Sequence, residues 1–445
     1  MVRVEAWLAY ASDLVWGPPL LILLFGTHLY LTLRLRFVQR YLWRGIQLSF
    51  SREREGEGDI SHFGALTTAL AATIGTGNIV GVATAVAAGG PGAVLWIWLT
   101  GVFGMASKYA EAVLAIRHRV TMPDGSTAGG PMYVLERGMG MRWLGVVFAV
   151  FTAAAAFGIG NMVQANSVAV LAHETFGVSP WLTGMILTVL TAIVILGGIR
   201  SIARVCEALV PFMAVFNIIG CLILLAMHAE RLPATLELIV SGAFTGQAAV
   251  GGFLGAGVRE AMRYGIARGL FSNEAGLGSA PIVAAAAQTT SAVRQALVSA
   301  TGVFWDTVVM CALTGLVIVN SGAWTQGLNG ASLSRAAFAD IPVIGPIVLT
   351  VGLITFVFAT ILGWAYYGEK AIEYLLGTGA VQPYRMLWVA AVMAGSVLSL
   401  PAVWSFADVA NGLMAVPNLI CLLAMTGAVV AETRTELWNA PRRSR

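Results

Sequence analysis

One short stretch, Thr73–Gly81, constrains the fold of this chain more than any other. Within six positions it combines two glycines with three side chains that carry oxygen, inside an apolar segment long enough to cross a bilayer. In hydrocarbon a helix is interrupted only where the break is buried in protein or faces a watery cavity. Glycine permits the break, freed carbonyls bind a small cation, and freed N–H groups attract a carboxylate. The stretch predicts a transporter site for a zwitterion plus a cation.

Apolar segments of about 20 residues, the length that spans the hydrocarbon core, recur along the chain. We count eleven, at 15–36, 62–89, 92–118, 143–172, 181–199, 205–227, 235–264, 295–320, 345–375, 384–401 and 404–431. Hydrophobic residues make up 58% of the chain and charged residues only 11%, and no polar stretch is long enough to fold as a soluble domain. The sequence predicts an all-α polytopic membrane protein embedded in a lipid bilayer.

The arginines predict the orientation of the chain and exclude a nucleic-acid partner. With eleven spans, most arginines, including Arg268, fall on one side of the membrane, whereas Arg3, Arg231 and Arg335 fall on the other. Cytoplasmic loops carry an excess of basic residues. We therefore expect the amino terminus outside and the carboxy terminus in the cytoplasm, with the chain spanning the cytoplasmic membrane.

A second glycine-rich stretch, Gly242–Gly255, predicts a second broken helix in span seven. It holds five glycines together with Thr245 and Gln247. Two interrupted spans, the first and sixth of a ten-helix core, indicate a five-plus-five inverted repeat preceded by one extra helix. The alternative is close packing of helices through small residues. The predicted parts are an extra helix with a basic loop at 1–61, repeats at 62–227 and 228–431, and a basic tail at 432–445.

Four motifs resemble those of a known family. They are Thr67–Arg119, Gly158–Ser167, Arg268–Pro281 and Thr360–Lys370. Together they resemble the alanine-or-glycine:cation symporter family over essentially the whole chain after the first helix. The resemblance implies sodium-driven symport of small neutral amino acids, alanine and glycine, on the inverted-repeat fold of the leucine transporter. Na⁺ is then the co-transported ion, and no cofactor is implied.

The two breaks are the expected binding site for the amino acid. Thr76, Gly77 and Asn78 are expected to present donors to the substrate carboxylate. The ammonium is expected to bind carbonyls of the second break, at Gly246, Ala248 and Val250.

Further residues on spans four, seven and nine are expected to complete the pocket. Asn161 and Gln164 lie three positions apart, hence on one helix face, and could bond the zwitterion; for Gln164 an interhelical hydrogen bond is an equal alternative. Phe253, Phe157 and Trp364 are candidates for the wall that limits side-chain size, with ordinary core packing as the alternative.

The resemblance also implies a sodium site between the first break and the ninth span. Its ligands are the carbonyls of Ile74, Gly77 and Ala359 with the hydroxyl of Thr360, which suits a hard cation that prefers oxygen. The alternative for Thr360 is a hydrogen bond to its own helix backbone.

Asp306 lies near the middle of span eight, where a carboxylate is costly and by default functional. Three roles stay open from the sequence: a second cation site with Asn78, neutralisation of an arginine on a neighbouring helix, or carriage of a proton. Asp408, near the end of span eleven, is expected to be a solvated carboxylate.

Glu274 and Arg268 are the predicted gate. The Ser272–Pro281 run follows several arginines, so the predicted topology puts it at the cytoplasmic face, where an exposed pair between Glu274 and an arginine would open easily. The polar segment 322–346 is expected to form a lid on the outer side.

Other classes of protein fit the sequence less well. The four cysteines and five histidines are scattered without metal-ligand spacing. There is no nucleotide-binding loop for a pump and no nucleophile and base for an enzyme. A channel, whose filters also use glycine-rich breaks, and a proton-coupled carrier that uses Asp306 remain the alternatives. The sequence makes no prediction about the oligomeric state.

Overall fold

The computed structural model describes residues 2–51, 56–245, 257–398 and 401–439. The α-helices up to residue 176 are α1 Val2–Val15, α2 Pro18–Arg34, α3 Leu42–Ser49, α4 His62–Thr73, α5 Val82–Gly89, α6 Ala93–Arg117, α7 Pro131–Tyr133, α8 Arg142–Ala155 and α9 Val163–Phe176. Those that follow up to residue 303 are α10 Pro180–Ile195, α11 Gly198–Met227, α12 Leu232–Phe244, α13 Val258–Asn273, α14 Pro281–Ala284 and α15 Ala292–Val303. The last are α16 Ala312–Ser321, α17 Gly330–Ala339, α18 Ile344–Leu376, α19 Val381–Val397, α20 Pro401–Ala424 and α21 Thr426–Thr433.

Shorter elements join or interrupt these helices. Two strands, β1 Val120–Thr121 and β2 Thr127–Ala128, pair antiparallel. Turns of π-helix occur at Gly77–Gly81, Val134–Gly138, Ala156–Met162, Phe304–Cys311 and Arg434–Trp438, and 3₁₀ turns at Val38–Tyr41, Ala229–Arg231, Ala323–Gln326 and Thr378–Ala380.

The helices confirm that the chain is a membrane protein. Among the described residues, six helical stretches are long and apolar enough to cross a bilayer: Ala6–Arg34, Arg142–Phe176, Gly198–Met227, Ala292–Ser321, Ile344–Leu376 and Val403–Ala424. The bent pair α4 and α5 raises the number to seven. Large apolar side chains such as Ile186, Ile193 and Leu222 are exposed on α10 and α11, which is stable in lipid and unfavourable in water.

The first predicted break is confirmed. α4 ends at Thr73, Ile74 is extended, and the chain resumes as the π-helical turn Gly77–Gly81 that leads into α5. The two halves are bent by 53°. The last carbonyls of α4 and the first N–H groups of the following turn lack partners within their own helices. The bend brings these groups together at a buried point.

A second broken helix is formed by α13 and the segment Ser272–Pro281. α13 ends at Asn273, and Glu274 adopts a left-handed backbone with a φ of 55°. Gly276 and Gly278 follow with φ of 84° and 88°, a conformation that glycine adopts without steric cost. The chain becomes helical again only at α14.

The second break lies at the middle depth of α6, not at the cytoplasmic face where the sequence analysis put it. The chain from 258 to 287 runs alongside α6. At the middle of α6, a Cβ on Gly104 would lie 3.1 Å from the Cβ of Ala275. Just beyond the end of α6, Arg119 Nη1 donates to the carbonyl of Ala287 at 3.0 Å. Residues 258–287 thus run along the whole of α6, and their break lies near its middle.

The predicted span seven, 235–264, does not correspond to one described helix. α12 ends at Phe244, and α13 begins at Val258. The predicted ammonium ligands Gly246, Ala248 and Val250, and the predicted wall residue Phe253, lie outside the described residues.

Arg268 lies in the opposite half of the molecule from the basic end of α6. It shares a cavity of about 90 Å³ with Asp13 and Asp408, and its guanidinium lies 5.8 Å from the ring centre of Phe271. The prediction counted this arginine as a cytoplasmic loop residue. The two carboxylates and the aromatic ring near Arg268 offset the cost of burying its charge, so the arginine can lie inside a membrane span and not in a loop.

The two broken helices run antiparallel and their breaks meet. At one end Ile60 forms a bridge with Ala287, and at the other a Cβ on Gly89 would lie 3.0 Å from the carbonyl oxygen of Glu260. Between these ends, a Cβ on Gly77 would lie 3.5 Å from the Cα of Ser272. This crossing places freed backbone groups of both helices at one buried point.

Gly278 gives a direct test of the second break. Its φ is positive, and an added Cβ would lie 2.8 Å from both Phe148 and Pro131. We expect Gly278→Ala to lower the free energy of unfolding by about 2–4 kcal/mol through left-handed backbone strain and overpacking. Thermal unfolding of the purified protein measures this loss. Gly379→Ala is the matched control, because nothing lies within 4 Å of a Cβ there; equal melting temperatures for both variants would contradict the assignment.

Candidate functional site

Asn78 connects the first break to the helix that carries Asp306. Its Oδ1 accepts from the backbone N–H of Gly75 at 2.9 Å, which fixes the orientation of the amide. Its Nδ2 then donates to Asp306 Oδ1 at 2.7 Å and to the Asp306 carbonyl at 3.1 Å. Asn78 and Asp306 are both fully buried. The structure thus brings together the two residues for which the sequence suggested a cation site.

Asp306 is surrounded by neutral donors. Its Oδ2 accepts from Ser272 Oγ at 3.0 Å and from Thr307 Oγ1 at 2.6 Å, so the second break supplies one partner. In the described parts of the chain no basic nitrogen lies within 4.0 Å of this carboxylate, and the arginine pairing considered for it is not present. A buried carboxylate without a cation is costly, and the arrangement suits a small cation. Sequence reasoning missed Ser272 because it placed that residue at the membrane surface.

Thr360 on α18 faces the first break. Its hydroxyl donates to the Phe356 carbonyl at 3.0 Å and lies 3.3 Å from the Ile74 carbonyl. A Cβ on Gly75 would lie 2.6 Å from the same hydroxyl. The predicted ligands Ile74 and Thr360 are therefore adjacent, with Ala359 fully buried beside them. The hydroxyl bonds its own helix, as the alternative reading expected, and keeps lone pairs toward the break.

Gln164 faces the break, whereas Asn161 does not. Gln164 Nε2 donates to the Ile159 carbonyl at 2.9 Å and lies 3.4 Å from Thr76 Oγ1. Its Oε1 has no hydrogen-bond partner among the described residues. Asn161 Nδ2 donates to the Trp388 carbonyl on α19 at 2.9 Å. The π-helical turn at Ala156–Met162 changes the residue spacing, so the two amides reach different partners.

Glu274 is buried next to Trp364, not exposed at a gate. It is 4% exposed and accepts from Trp364 Nε1 at 3.1 Å and from the hydroxyl of Ser279. The predicted exposed pair between Glu274 and Arg268 is therefore wrong, because the break that carries Glu274 lies in the protein interior. Phe157 packs against Tyr384 and Trp388 of α19, in accord with the core-packing alternative.

A cavity of about 190 Å³ leads to the first break from the end of the molecule where α17 lies. Thr76 lies at the break, and Arg335 and Glu174 line the same cavity and form an ion pair. Ser334 on α17 donates to the Ile79 carbonyl at 3.3 Å. α17, within the predicted lid segment, therefore touches the break directly.

A second cavity of about 510 Å³ lies at the opposite, basic end. Two ion pairs line it: Arg385 binds Glu369 through two nitrogens at 2.7 and 2.9 Å, and Lys370 Nζ lies 2.7 Å from Glu373 Oε2. Sequence reasoning named none of these residues as functional. The sequence offered one signal for them: the adjacent, oppositely charged residues Glu369 and Lys370 lie at the end of a long apolar span.

The fold is shared with known transporters. MhsT, solved in complex with L-phenylalanine, aligns with a TM-score of 0.59 at 15% identity, over 86% of this chain and 94% of MhsT. The manganese transporter of Eremococcus coleocola aligns with a TM-score of 0.52 at 13% identity, over 89% and 86% of the two chains. At these identities the likeness concerns the fold alone.

Sequence comparison defines the family. The sodium:alanine symporter family profile matches residues 1–442. The sodium/alanine symporter AgcS of Methanococcus maripaludis is 52% identical over 95% of both chains, and an uncharacterized transporter of Haemophilus influenzae is 49% identical over 97% of this chain and 96% of its own. The protein is a membrane transporter and not an enzyme. It belongs to the sodium:alanine symporter family, as the motifs predicted.

Proposed function

We propose that this protein imports alanine and glycine together with sodium across the cytoplasmic membrane by alternating access. The observation that carries the proposal is the meeting of two broken helices at mid-depth, with Gly77 against Ser272. Such a crossing collects unpaired N–H groups and carbonyls where a zwitterion and a cation both find partners. The similarity to AgcS, named as a sodium/alanine symporter, supports the choice of ion and substrate.

The substrate carboxylate binds at the start of the π-helical turn after the first break. Thr76, Gly77 and Asn78 lie there, and the positive end of the following helix favours an anion. Gln164 Oε1, buried and unpartnered, accepts a hydrogen bond from the substrate. The ammonium lies toward the last carbonyls of α13. Trp364, held by Glu274, limits the size of the side chain.

The proposal includes two sodium sites, which the contacts support. One lies at Asp306, Asn78 and Ser272, where the described residues bring hydrogen-bond donors without charge to a buried carboxylate. The other lies between the carbonyls of Ile74, Gly77 and Ala359 and the hydroxyl of Thr360. Both include groups of the first break, so cation binding orders the break and completes the amino-acid site.

The described helices fit eleven spans, arranged as one extra span followed by two repeats of five, if span seven is placed at 258–287 and not at 235–264. Four spans follow each broken helix. After the first they are α6, the pair α8 and α9 as one span, α10, and α11; after the second they are the pair α15 and α16 as one span, α18, α19, and α20. α1 and α2 form the extra helix. With the basic end in the cytoplasm, the amino terminus is outside.

Two sets of ion pairs gate the path in place of Glu274 and Arg268. Arg335 and Glu174 line the outer cavity, and Lys370 with Glu373 and Arg385 with Glu369 line the inner one. The outer pair is half-exposed and contributes only about 0–1 kcal/mol, so it opens at little cost.

Gln164→Leu tests the substrate role of the amide. The substitution removes a buried acceptor that the ligand uses, and we expect the KM for alanine to rise roughly tenfold, as loss of one buried hydrogen bond predicts. Gln47→Leu, on the exposed face of α3, is the control. An unchanged KM for Gln164→Leu would leave the amide as an interhelical contact only.

The function is tested by uptake of radiolabelled alanine into proteoliposomes. An inward sodium gradient is compared with an equal choline gradient and with a proton gradient. We expect uptake that requires sodium and that falls in the presence of unlabelled glycine. Uptake driven by the proton gradient alone would assign the coupling ion to the proton, and uptake that survives in choline would contradict symport.

A further inference from the structure

One face of α3 is exposed although it carries aromatic rings. Trp43 is 69% exposed and Phe50, just after the helix, is 68% exposed. The exposed residues recur every three or four positions, as neighbours on one helix face do: Arg40, Trp43, Arg44, Gln47 and Phe50. The opposite face packs on α15, where a Cβ on Gly45 would lie 2.6 Å from the Leu297 carbonyl oxygen. α3 is therefore an amphipathic helix whose outer face is both basic and aromatic.

This face lies at the edge of a membrane span. α2 belongs to the apolar stretch Ala6–Arg34, and the exposed residues Arg36 and Phe37 follow directly after it. α15, on which α3 packs, begins at Ala292, close in sequence to Ala287 at the basic end of α6. The edge of a span is the level of the lipid headgroups, where amphipathic helices with arginines and aromatic rings are stable.

The arginines here carry charge that acidic side chains do not neutralise. Among the described residues, no carboxylate oxygen lies within 4.0 Å of Arg36, Arg40 or Arg44. Arg36 lies over the ring of Trp438, 4.5 Å from its centre. Arg40 lies over the ring of Tyr41 at 4.8 Å and donates to its hydroxyl at 2.9 Å. A stacked guanidinium keeps donors at its edge that can pair with phosphate oxygens.

We propose that Arg36, Phe37, Arg40, Trp43 and Arg44 form a binding surface for anionic phospholipids. The three arginines require an anionic occupant. The exposed rings of Phe37 and Trp43 require that its charge lie beside apolar groups. An anionic phospholipid supplies phosphate oxygens and acyl chains together, at the level of the membrane where this surface lies. The inference is independent of the ion and the substrate that the protein transports.

A fluorophore on α3 tests the proposal. All four cysteines of the chain are buried, so the label couples selectively to the thiol introduced by Gln47→Cys on the exposed face. The labelled protein is reconstituted in phosphatidylcholine vesicles with increasing fractions of brominated phosphatidylglycerol or brominated phosphatidylcholine, whose bromines quench the label at contact. We expect half-quenching by phosphatidylglycerol at a mole fraction at least roughly fivefold lower. The preference is expected to shrink as the salt concentration is raised.

Arg40→Gln combined with Arg44→Gln is expected to remove most of the preference, so that the two lipids quench the label at similar mole fractions. Arg117→Gln combined with Arg142→Gln is the matched control. It changes the net charge equally, and each of these exposed arginines already pairs with a glutamate. We expect the control to keep the preference of the unsubstituted labelled protein.

Equal quenching of the labelled protein by the two lipids would overturn the proposal, as would a preference that does not respond to salt. A preference that the Arg40 and Arg44 substitutions leave unchanged overturns it too, because the lipid then binds elsewhere. An equal loss in both double variants shows a response to net charge and also overturns it. If the first double variant does not fold, Arg36→Gln and Arg44→Gln are measured singly. A lower preference in either supports the surface, and an unchanged preference in both overturns it.

Discussion

Replacing Asp306 by asparagine is expected to raise the half-saturating sodium concentration of alanine uptake about tenfold or more. The carboxylate is fully buried, and among the described residues it is bonded only to neutral donors, so its charge is available to a cation. An amide nitrogen at the Oδ2 position would also face the hydroxyls of Ser272 and Thr307, which donate there now. Sodium titration of uptake in proteoliposomes measures the change.

Asp340→Asn is the control for this experiment, because the described contacts of the Asp340 carboxylate are with His228 and Arg231 at a solvent-accessible end of the molecule and not with either break. We expect its sodium dependence to match that of the unmodified protein. Asp306→Asn with unchanged sodium dependence would remove Asp306 from the cation site. A changed pH dependence at unchanged sodium affinity would instead support the proton-carrier role considered from the sequence.

Replacing Thr360 by valine is expected to produce the second large effect. Valine keeps the shape of the side chain and removes the hydroxyl that faces the Ile74 carbonyl at 3.3 Å. Loss of one sodium ligand is expected to reduce alanine uptake at low sodium roughly tenfold, with recovery as sodium is raised, because a buried ligand oxygen contributes about as much as a hydrogen bond to a charged group.

Thr355→Val on the same helix is a closely matched control. The Thr355 hydroxyl bonds only the carbonyls of Val351 and Gly352 in α18. If both valine variants lose uptake equally, the effect of Thr360→Val belongs to the helix and not to a sodium site. If neither loses uptake, the site between the first break and α18 is contradicted.

The first break was predictable from the sequence because its cause is local. Two glycines and three polar side chains within an apolar span leave few alternatives in hydrocarbon. The neighbours of the break followed from the same reasoning: Asp306 as a carboxylate at mid-depth, and Thr360 from the family resemblance. The structure places both side chains against the break.

The position of the second described break was not predicted, because two local signals pointed elsewhere. The glycine-rich stretch Gly242–Gly255, most of which lies outside the described residues, directed the prediction to 235–264, and arginines such as Arg268 resembled those of a cytoplasmic loop. In the structure Arg268 lies in a cleft with Asp13 and Asp408. Only long-range packing against α6 shows that Ser272–Pro281 lies at mid-depth.

Lys108 was not singled out from the sequence, although it lies well inside the apolar run 92–118 and an ionisable residue inside a membrane span indicates function by default. Thr73 and Asn273, which line a small cavity together with Lys108, come from distant parts of the chain, so these neighbours could be found only from the fold.

In the proposed mechanism, sodium orders the first break and so creates the alanine site. Equilibrium binding of radiolabelled alanine to the purified protein, in sodium and in choline at equal ionic strength, tests it most directly. We expect alanine to bind at least roughly tenfold more tightly in sodium, because one coordinated ion is expected to change the free energy of alanine binding by more than about 1.4 kcal/mol. We expect Asp306→Asn to remove the difference. Equal affinity in the two salts, with alanine bound in both, would contradict it.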